Sequence, residues 1–248
     1  MRECKLMFLY GKNSVFTRLR ANPRSIRRIL VRENFDISSI KKKAQLYRIP
    51  IVRVSSKKLS KIKPGKNLQG IVAEVKPFEY TPMESLLSSP QKNLSFIFLD
   101  GVYDPQNLGA IIRTAACLGN FAIVVPRHRA CGVTETVLHI ASGGENFVPV
   151  SLVSNLSNTL KEVKKRGYWI VGAIPQGERD VTTTRFPFPV GVVLGSEQGD
   201  VRQGVRKQID LAASIPMEGE ALSLNVAVAC AIFCYEVVKQ RREFSGNN

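Results

Sequence analysis

Three short stretches carry residues whose types and spacing suit chemistry rather than packing. In DPQNLGAIIRTA (104–115), the helical neighbours of Arg113 at i±3 and i±4 are Gly109, Ala110, Ala116 and Cys117, all small and none acidic. Asn107 reads as an N-cap and residues 108–118 as the helix it opens, apolar almost all round; helices of that kind are buried, so Arg113 is expected to lie walled in by hydrocarbon. An unpaired buried charge costs several kcal/mol, so an anion from outside the helix is expected to meet it. GSEQGD (195–200) sets Glu197 between Gly195 and Gly199, glycines that let a backbone turn sharply and approach a ligand closely. Taken alone it also reads as a surface turn with a solvated acid. IPMEGEALSLN (215–225) offers Ser223 as the expected cap of a helix from Leu224, with Asn225, a poor helix former, just inside. Alone it is a loop and a cap. Neither GxGxxG nor GxxxxGK[ST] occurs, which removes the dinucleotide fingerprint and the P-loop.

Charge narrows the partner. The 248 residues carry a formal net charge of +16, distributed unevenly. Residues 1–76 hold 20 Lys+Arg against 4 Asp+Glu, whereas residues 77–248 hold 16 against 16. Such asymmetry implies two units, one of which binds a polyanion. Nucleic acid is the expected partner; an anionic membrane surface is the alternative, unsupported by any basic amphipathic helix with a broad aromatic face. No run of 18 apolar residues predicts a membrane span, and the apolar patch in MRECKLMFLYGK is too short and polar for a signal peptide. The five cysteines lack CxxC spacing and only His128 and His139 accompany them, so no metal site is expected and the thiols fit a reducing, cytoplasmic setting. Arg127, His128 and Arg129 follow a strand end and read equally as an RNA contact or an exposed basic loop.

These residues need elements to position them. Over 1–76 the expected pieces are a helix at 9–22, a strand at 27–33, a basic helix at 38–49, a strand at 50–55, a short helix at 56–62 and a strand at 68–75. They make a compact basic α/β domain that binds RNA. Residues 77–93, with three prolines, read as a linker in which MESLL forms a helical turn. From 94 to 248 apolar strands alternate with helices, including a helix at 134–141 and a long final one from 222. That pattern predicts a mostly parallel sheet covered on both faces. Each chemical stretch follows a strand, and ligands in such sheets bind beyond the C-terminal strand ends.

Taken together, the order N-x5-R, G-S-E and I-P-M…S-L-N resembles the three motifs of the SpoU (TrmH-like) family of RNA ribose 2′-O-methyltransferases, in the SPOUT superfamily. The match spans essentially all of 94–248, and LYGKNSVFTRLRANPRSIRRILV resembles the family's small substrate-binding domain, itself similar to kink-turn-binding ribosomal proteins. The resemblance implies an α/β fold closed by a C-terminal trefoil knot and S-adenosylmethionine as methyl donor. It also implies a homodimer with sites near the subunit interface. It implies Asn107, Arg113, Glu197, Ser223 and Asn225 as the catalytic set, and Gly195, Ile215 and Leu224, with Leu194 and Met217 nearby, as donor contacts. The expected reaction is ribose 2′-O-methylation, with ribosomal RNA of the large subunit ahead of transfer RNA as substrate. Arg113 is expected to take a substrate phosphate as its anion; a guanidinium, with a pKa above about 12, orients a hydroxyl more readily than it accepts a proton. Methylation of a base nitrogen is the second enzyme reading, disfavoured by Arg113 with Ser223 and Asn225. A non-catalytic RNA-binding assembly factor is the third. Gln198 stands where the family usually has glycine, a departure at the donor loop.

Overall fold

The computed structural model describes residues 6–88, 94–175, 179–196, 201–219 and 223–246. The chain divides into two compact units, Met1–Glu79 with Val133–Phe147, and Tyr80–Gly132 with Val148–Asn248. In the first, strands β1 (Met7–Tyr10), β2 (Ile26–Arg32), β3 (Ile51–Val54) and β4 (Ile71–Val75) form a sheet in the order β1-β4-β2-β3. Only β2 and β3 run parallel; β4 is antiparallel to both neighbours. Helices α1 (Lys12–Ala21), α2 (Ser38–Leu46) and α3 (Ser56–Ile62) complete the expected pieces. Strand β1 is an addition. Leu9 and Tyr10 were expected in the first helix, but pairing with β4 makes them strand, and Gly11, at φ 88°, turns the chain into α1.

From residue 80 the chain runs through β5 (Ser95–Leu99), β6 (Phe121–Pro126), β7 (Val150–Val153), β8 (Trp169–Ala173), β9 (Arg179–Asp180), β10 (Val190–Leu194) and β11 (Leu211–Ser214). Its helices are α4 (Met83–Leu87), α5 (Pro105–Leu118), α6 (Glu135–Ala141), α7 (Leu156–Lys165), α8 (Gln203–Arg206) and α9 (Val226–Gly246). The seven strands make one sheet, β7-β6-β5-β10-β8-β11-β9, and every pairing is parallel. Strands β5, β6 and β10 are buried along their whole length, because SFIFL, FAIVVP and VGVVL present hydrocarbon to both faces. The expected MESLL turn is α4. The two-residue β9 and the one-turn α8 were not anticipated; both are too short for periodicity to register.

Helix α6 was expected among the helices of the parallel sheet. It packs instead in the first unit, together with the 3-10 turn Gly144–Asn146. Val137 and Leu138 are fully buried there. The Glu135 carboxylate accepts the Phe8 N–H at 2.6 Å, and the Glu145 carboxylate meets the Arg18 guanidinium at 2.9 Å. Periodicity reveals that a helix has a buried face, not which sheet receives it.

Candidate active site

Register decides how the three chemical stretches meet. Leu194 of β10 lies opposite Leu99 of β5 and Ala173 of β8, and Ala213 of β11 lies opposite the same Ala173. Four strands therefore end level, and the segments that follow β5, β10 and β11 leave one edge of the sheet together. The first two touch. The Asp100 N–H donates to the Leu194 carbonyl at 2.8 Å. Gly101, at φ +93°, brings its backbone so close that a Cβ there would stand 3.1 Å from that of Ser196.

Both helix starts differ from expectation. Asp104, not Asn107, caps α5: its carboxylate accepts the Gln106 N–H at 2.8 Å, with Pro105 in the first turn. Asn107 lies inside the helix and is buried. Likewise α9 begins at Val226 and its cap is Asn225, whose side chain accepts the Ala227 N–H at 2.8 Å while its carbonyl accepts the Ala229 N–H at 2.9 Å. Ser223 is exposed outside the helix. Asp, Asn and Ser all cap well, so sequence ranks them alike and geometry selects. The Asn225 cap does a second thing. Its Nδ2 donates to Asn107 Oδ1 at 2.9 Å, joining the third stretch to the first where α5 packs against α9.

Arg113 overturns the opening expectation. It is exposed, and it has no hydrogen bond or ion pair to any described residue. Helix α5 buries Asn107, Leu108, Gly109, Ile111, Ile112 and Ala115, whereas Gln106, Arg113 and Cys117 lie on its outer face. The outer face is small rather than apolar: Ala110, Thr114 and Ala116 are half-buried, and alanine costs little in water. The fold therefore does not oblige Arg113 to find an anion. Glu197 and Gln198 lie outside the described residues.

The five residues that the resemblance assigned to a donor stand as follows. Leu194 is buried at the end of β10, Gly195 and Ile215 are half-buried, and Met217 and Leu224 are open, at 47% and 40% exposure. No charged side chain occurs from Leu211 to Met217. A half-open hydrocarbon rim at strand ends, with backbone as its polar component, fits the flat apolar face and polar edge of an adenosyl group. Among the described residues no group of three His, Cys, Asp or Glu could hold a metal ion.

Asp100 and Arg202 were not singled out from sequence. The Asp100 carboxylate, fully buried, accepts the Arg202 backbone N–H at 2.9 Å, its Nε at 2.7 Å and its Nη2. That hydrogen bonding raises the pKa of the Arg202 guanidinium. The pair ties the β5 loop to the chain beyond β10. The available signal was an acid closing a fully apolar strand, since a buried charge requires a partner.

In the first unit, Lys12, Arg32, Lys66, Asn67 and Gln69 line a cleft of about 530 Å³, and Lys12 lies 5.6 Å from the Phe35 ring centre. Cations beside an aromatic ring suit phosphate and base.

Comparison with known proteins adds the following. A family model described as the SpoU rRNA Methylase family matches residues 95–235, and one described as RNA 2'-O ribose methyltransferase substrate binding matches residues 8–81. The 23S rRNA (guanosine-2'-O-)-methyltransferase RlmB of Coxiella burnetii is 36% identical over 243 residues, covering 96% of this chain and 97% of its own. The protein of the same name from Nitrosomonas europaea is 35% identical, covering 97% and 94%. Among solved structures, an AdoMet-bound rRNA methyltransferase from Sinorhizobium meliloti superposes with a TM-score of 0.81 at 24% identity, over 97% of this chain and 88% of that one. An RNA 2'-O ribose methyltransferase superposes with a TM-score of 0.77 at 26% identity, over 96% and 90%.

Proposed function

The chain belongs to the SpoU rRNA methylase family of RNA 2′-O-ribose methyltransferases, and from that premise we propose that it methylates a guanosine ribose of 23S rRNA in the cytoplasm, as a homodimer. It is an S-adenosylmethionine-dependent enzyme with an appended RNA-binding domain. The observation that carries the assignment to one site is the level ending of β5, β10 and β11, with Asn225 hydrogen-bonded to Asn107.

Bound S-adenosylmethionine supplies an electrophilic methyl group. Leu194, Gly195, Ile215, Met217 and Leu224 hold the donor through hydrocarbon and backbone. The Asn107–Asn225 bond fixes the start of α5 against the start of α9, which preserves the geometry that an in-line attack requires. Arg113 presents a planar, permanently charged fork to a phosphate of the substrate and lowers the pKa of the neighbouring 2′-hydroxyl. Ser223 joins the polar set around that hydroxyl; Glu197, which the family resemblance adds to it, lies outside the described residues.

One feature supports the dimer specifically. Arg113 follows Asn107 by six residues, so it lies roughly 120° around the helix and about 9 Å along it. A guanidinium so placed faces outward from its own chain, where a second copy meets it. Helix α9 presents Val228 and Tyr235 outward at 49% and 63% exposure, with Ala231 and Ile232 half-buried between them, a hydrocarbon stripe suited to the same partner.

The test offers labelled donor to an unmodified 23S rRNA transcript, followed by alkaline hydrolysis. A ribose methyl blocks cleavage of one linkage, so the label is expected in a single resistant dinucleotide containing guanosine. Label in a hydrolysable mononucleotide would instead mean base methylation. Label taken up only by a transfer RNA transcript would move the substrate to that class.

A further inference from the structure

We propose that a cavity beside the candidate active site binds the phosphate of an RNA nucleotide adjoining the methylated one, through Arg129, His128 and Arg202. The proposal rests on the methyltransferase reading above and adds a subsite to it. The cavity measures about 320 Å³ and is lined by Pro126 at the end of β6, by His128 and Arg129 beyond it, by Ser154 and Asn155 beyond β7, and by Arg202.

Its place in the sheet makes it continuous with the reacting loops. Strand β6 pairs with β5, and β7 with β6, all parallel, so the ends of β6 and β7 lie on the same edge as those of β5 and β10. Neighbouring strands are about 4.8 Å apart, which puts the cavity roughly 5–10 Å to the side of the loop that starts at Asp100. The loops are stitched together. The Cys131 N–H donates to the Val102 carbonyl at 2.8 Å, the Arg127 N–H to the Val153 carbonyl at 2.7 Å, and Asp100 grips Arg202. A polynucleotide with one ribose at the active site extends from it on both sides and carries a phosphate at each step. Whichever groove flanks the site must meet that charge.

The chemistry of the lining agrees. His128 and Arg129 are exposed, and Arg202, although clamped by Asp100, keeps 44% of its side chain open. Among the described residues, no acid lines the cavity. The carboxylate that reaches Arg202, Asp100, has no side-chain exposure and is spent on that guanidinium, whose plane it fixes. Asn155 Oδ1 accepts the Asn158 N–H and the Ser157 hydroxyl donates to the Gly204 carbonyl, so the charge that a phosphate would meet comes from the two arginines. Arg129 is held at φ 60°, a left-handed conformation uncommon for a long side chain. Residues kept in such conformations by their surroundings cluster at ligand sites.

Filter binding of the full-length protein to an unmodified 23S rRNA transcript and to a transfer RNA transcript, without donor, tests the cavity across a salt series. Each phosphate neutralised contributes about 0.7–0.9 to the slope of log K against log salt, whatever the sequence. Arg129→Asn, which tolerates the left-handed backbone, is expected to weaken binding about five- to tenfold and to make the slope shallower by about 0.7. Ser154→Glu, which sets a carboxylate at the mouth, is the independent variant and is expected to weaken binding similarly while the thermal midpoint stays unchanged. Slopes and affinities equal to wild type in both variants overturn the subsite. Methyl transfer by the wild type is scored separately. An inactive wild type whose variants still lose slope would retain the phosphate cleft and remove the methyltransferase reading.

Discussion

Asn107 and Asn225 stand 118 positions apart in sequence, yet share a hydrogen bond that links the starts of two packed helices. Arg113, on the outer face of α5, is exposed and serves no contact among the described residues that the fold depends on. Arg113→Ala is therefore expected to lower turnover on the order of 100-fold or more, with donor affinity and thermal stability within a few fold of wild type. Donor affinity collapsing in that variant would mean the side chain serves the donor rather than the RNA. A second prediction at this scale concerns alkali. The Cys230 thiol, by hydrogen bonding, and burial push the Cys234 thiol well up, and burial raises the Tyr168 phenol. Both groups stay protonated in the fold beyond the pH at which they ionise in the unfolded chain. Their contribution to stability is complete below about pH 8.5 and falls as pH rises through the folded pKa values. Under reducing conditions the thermal midpoint is expected to decline above that pH, and Cys234→Ala to flatten the early part of the decline. An identical profile in the variant would assign the decline to other groups.

At the scale of elements, the segment Val133–Phe147 matters most. It arises within the sequence of the methyltransferase family match and packs in the RNA-binding unit, where Tyr10 stacks on His139 with ring centres 4.1 Å apart. The Arg18–Glu145 pair is almost wholly buried, at 6% and 0% side-chain exposure, and leaves Arg18 Nε and Glu145 Oε2 without a hydrogen-bond partner among the described residues. Removing one member strands the other, which costs about 3 kcal/mol, whereas replacing both with hydrocarbon costs far less. Glu145→Ala is expected to lower denaturant stability by about that amount, and Arg18→Met with Glu145→Leu to recover most of it. Equal losses in the single and the double variant would show that the pair itself, rather than an orphaned charge, carries the stability.

For the whole molecule, charge and apolar surface divide the labour. The excess of lysine and arginine in residues 1–76 belongs to the unit that contains the basic cleft, while the hydrocarbon stripe of α9 belongs to the unit that contains the site. Val228→Glu, a charge at one end of that stripe, is expected to convert the proposed dimer to a monomer in light scattering. Because Arg113 faces away from its own chain, activity is expected to fall with it. A variant that stays dimeric, or a monomer with full activity, would remove the second copy from the site.

Much of this was legible in the chain alone. Unbroken apolar strands between helices dictate a parallel sheet, since only burial on both faces accommodates them. Three polar stretches, each following a strand, point to the edge at which the site is proposed. The uneven charge marks the RNA-binding end. Tertiary structure decided what depends on a choice between equivalent local options. Asp104 and Asn225 became the caps because their side chains reach the free N–H groups, although Asn107 and Ser223 have the same capacity. Helix α6 went to the first unit because Glu135 found the Phe8 N–H and Val137 found burial there, and one amphipathic face does not name its receiver. Arg113 emerged into solvent because a helix laid on a sheet buries one side only, and the small residues that share its outer face leave no trace of that in composition. Local sequence sets which groups are available, and only long-range packing determines which of them meet.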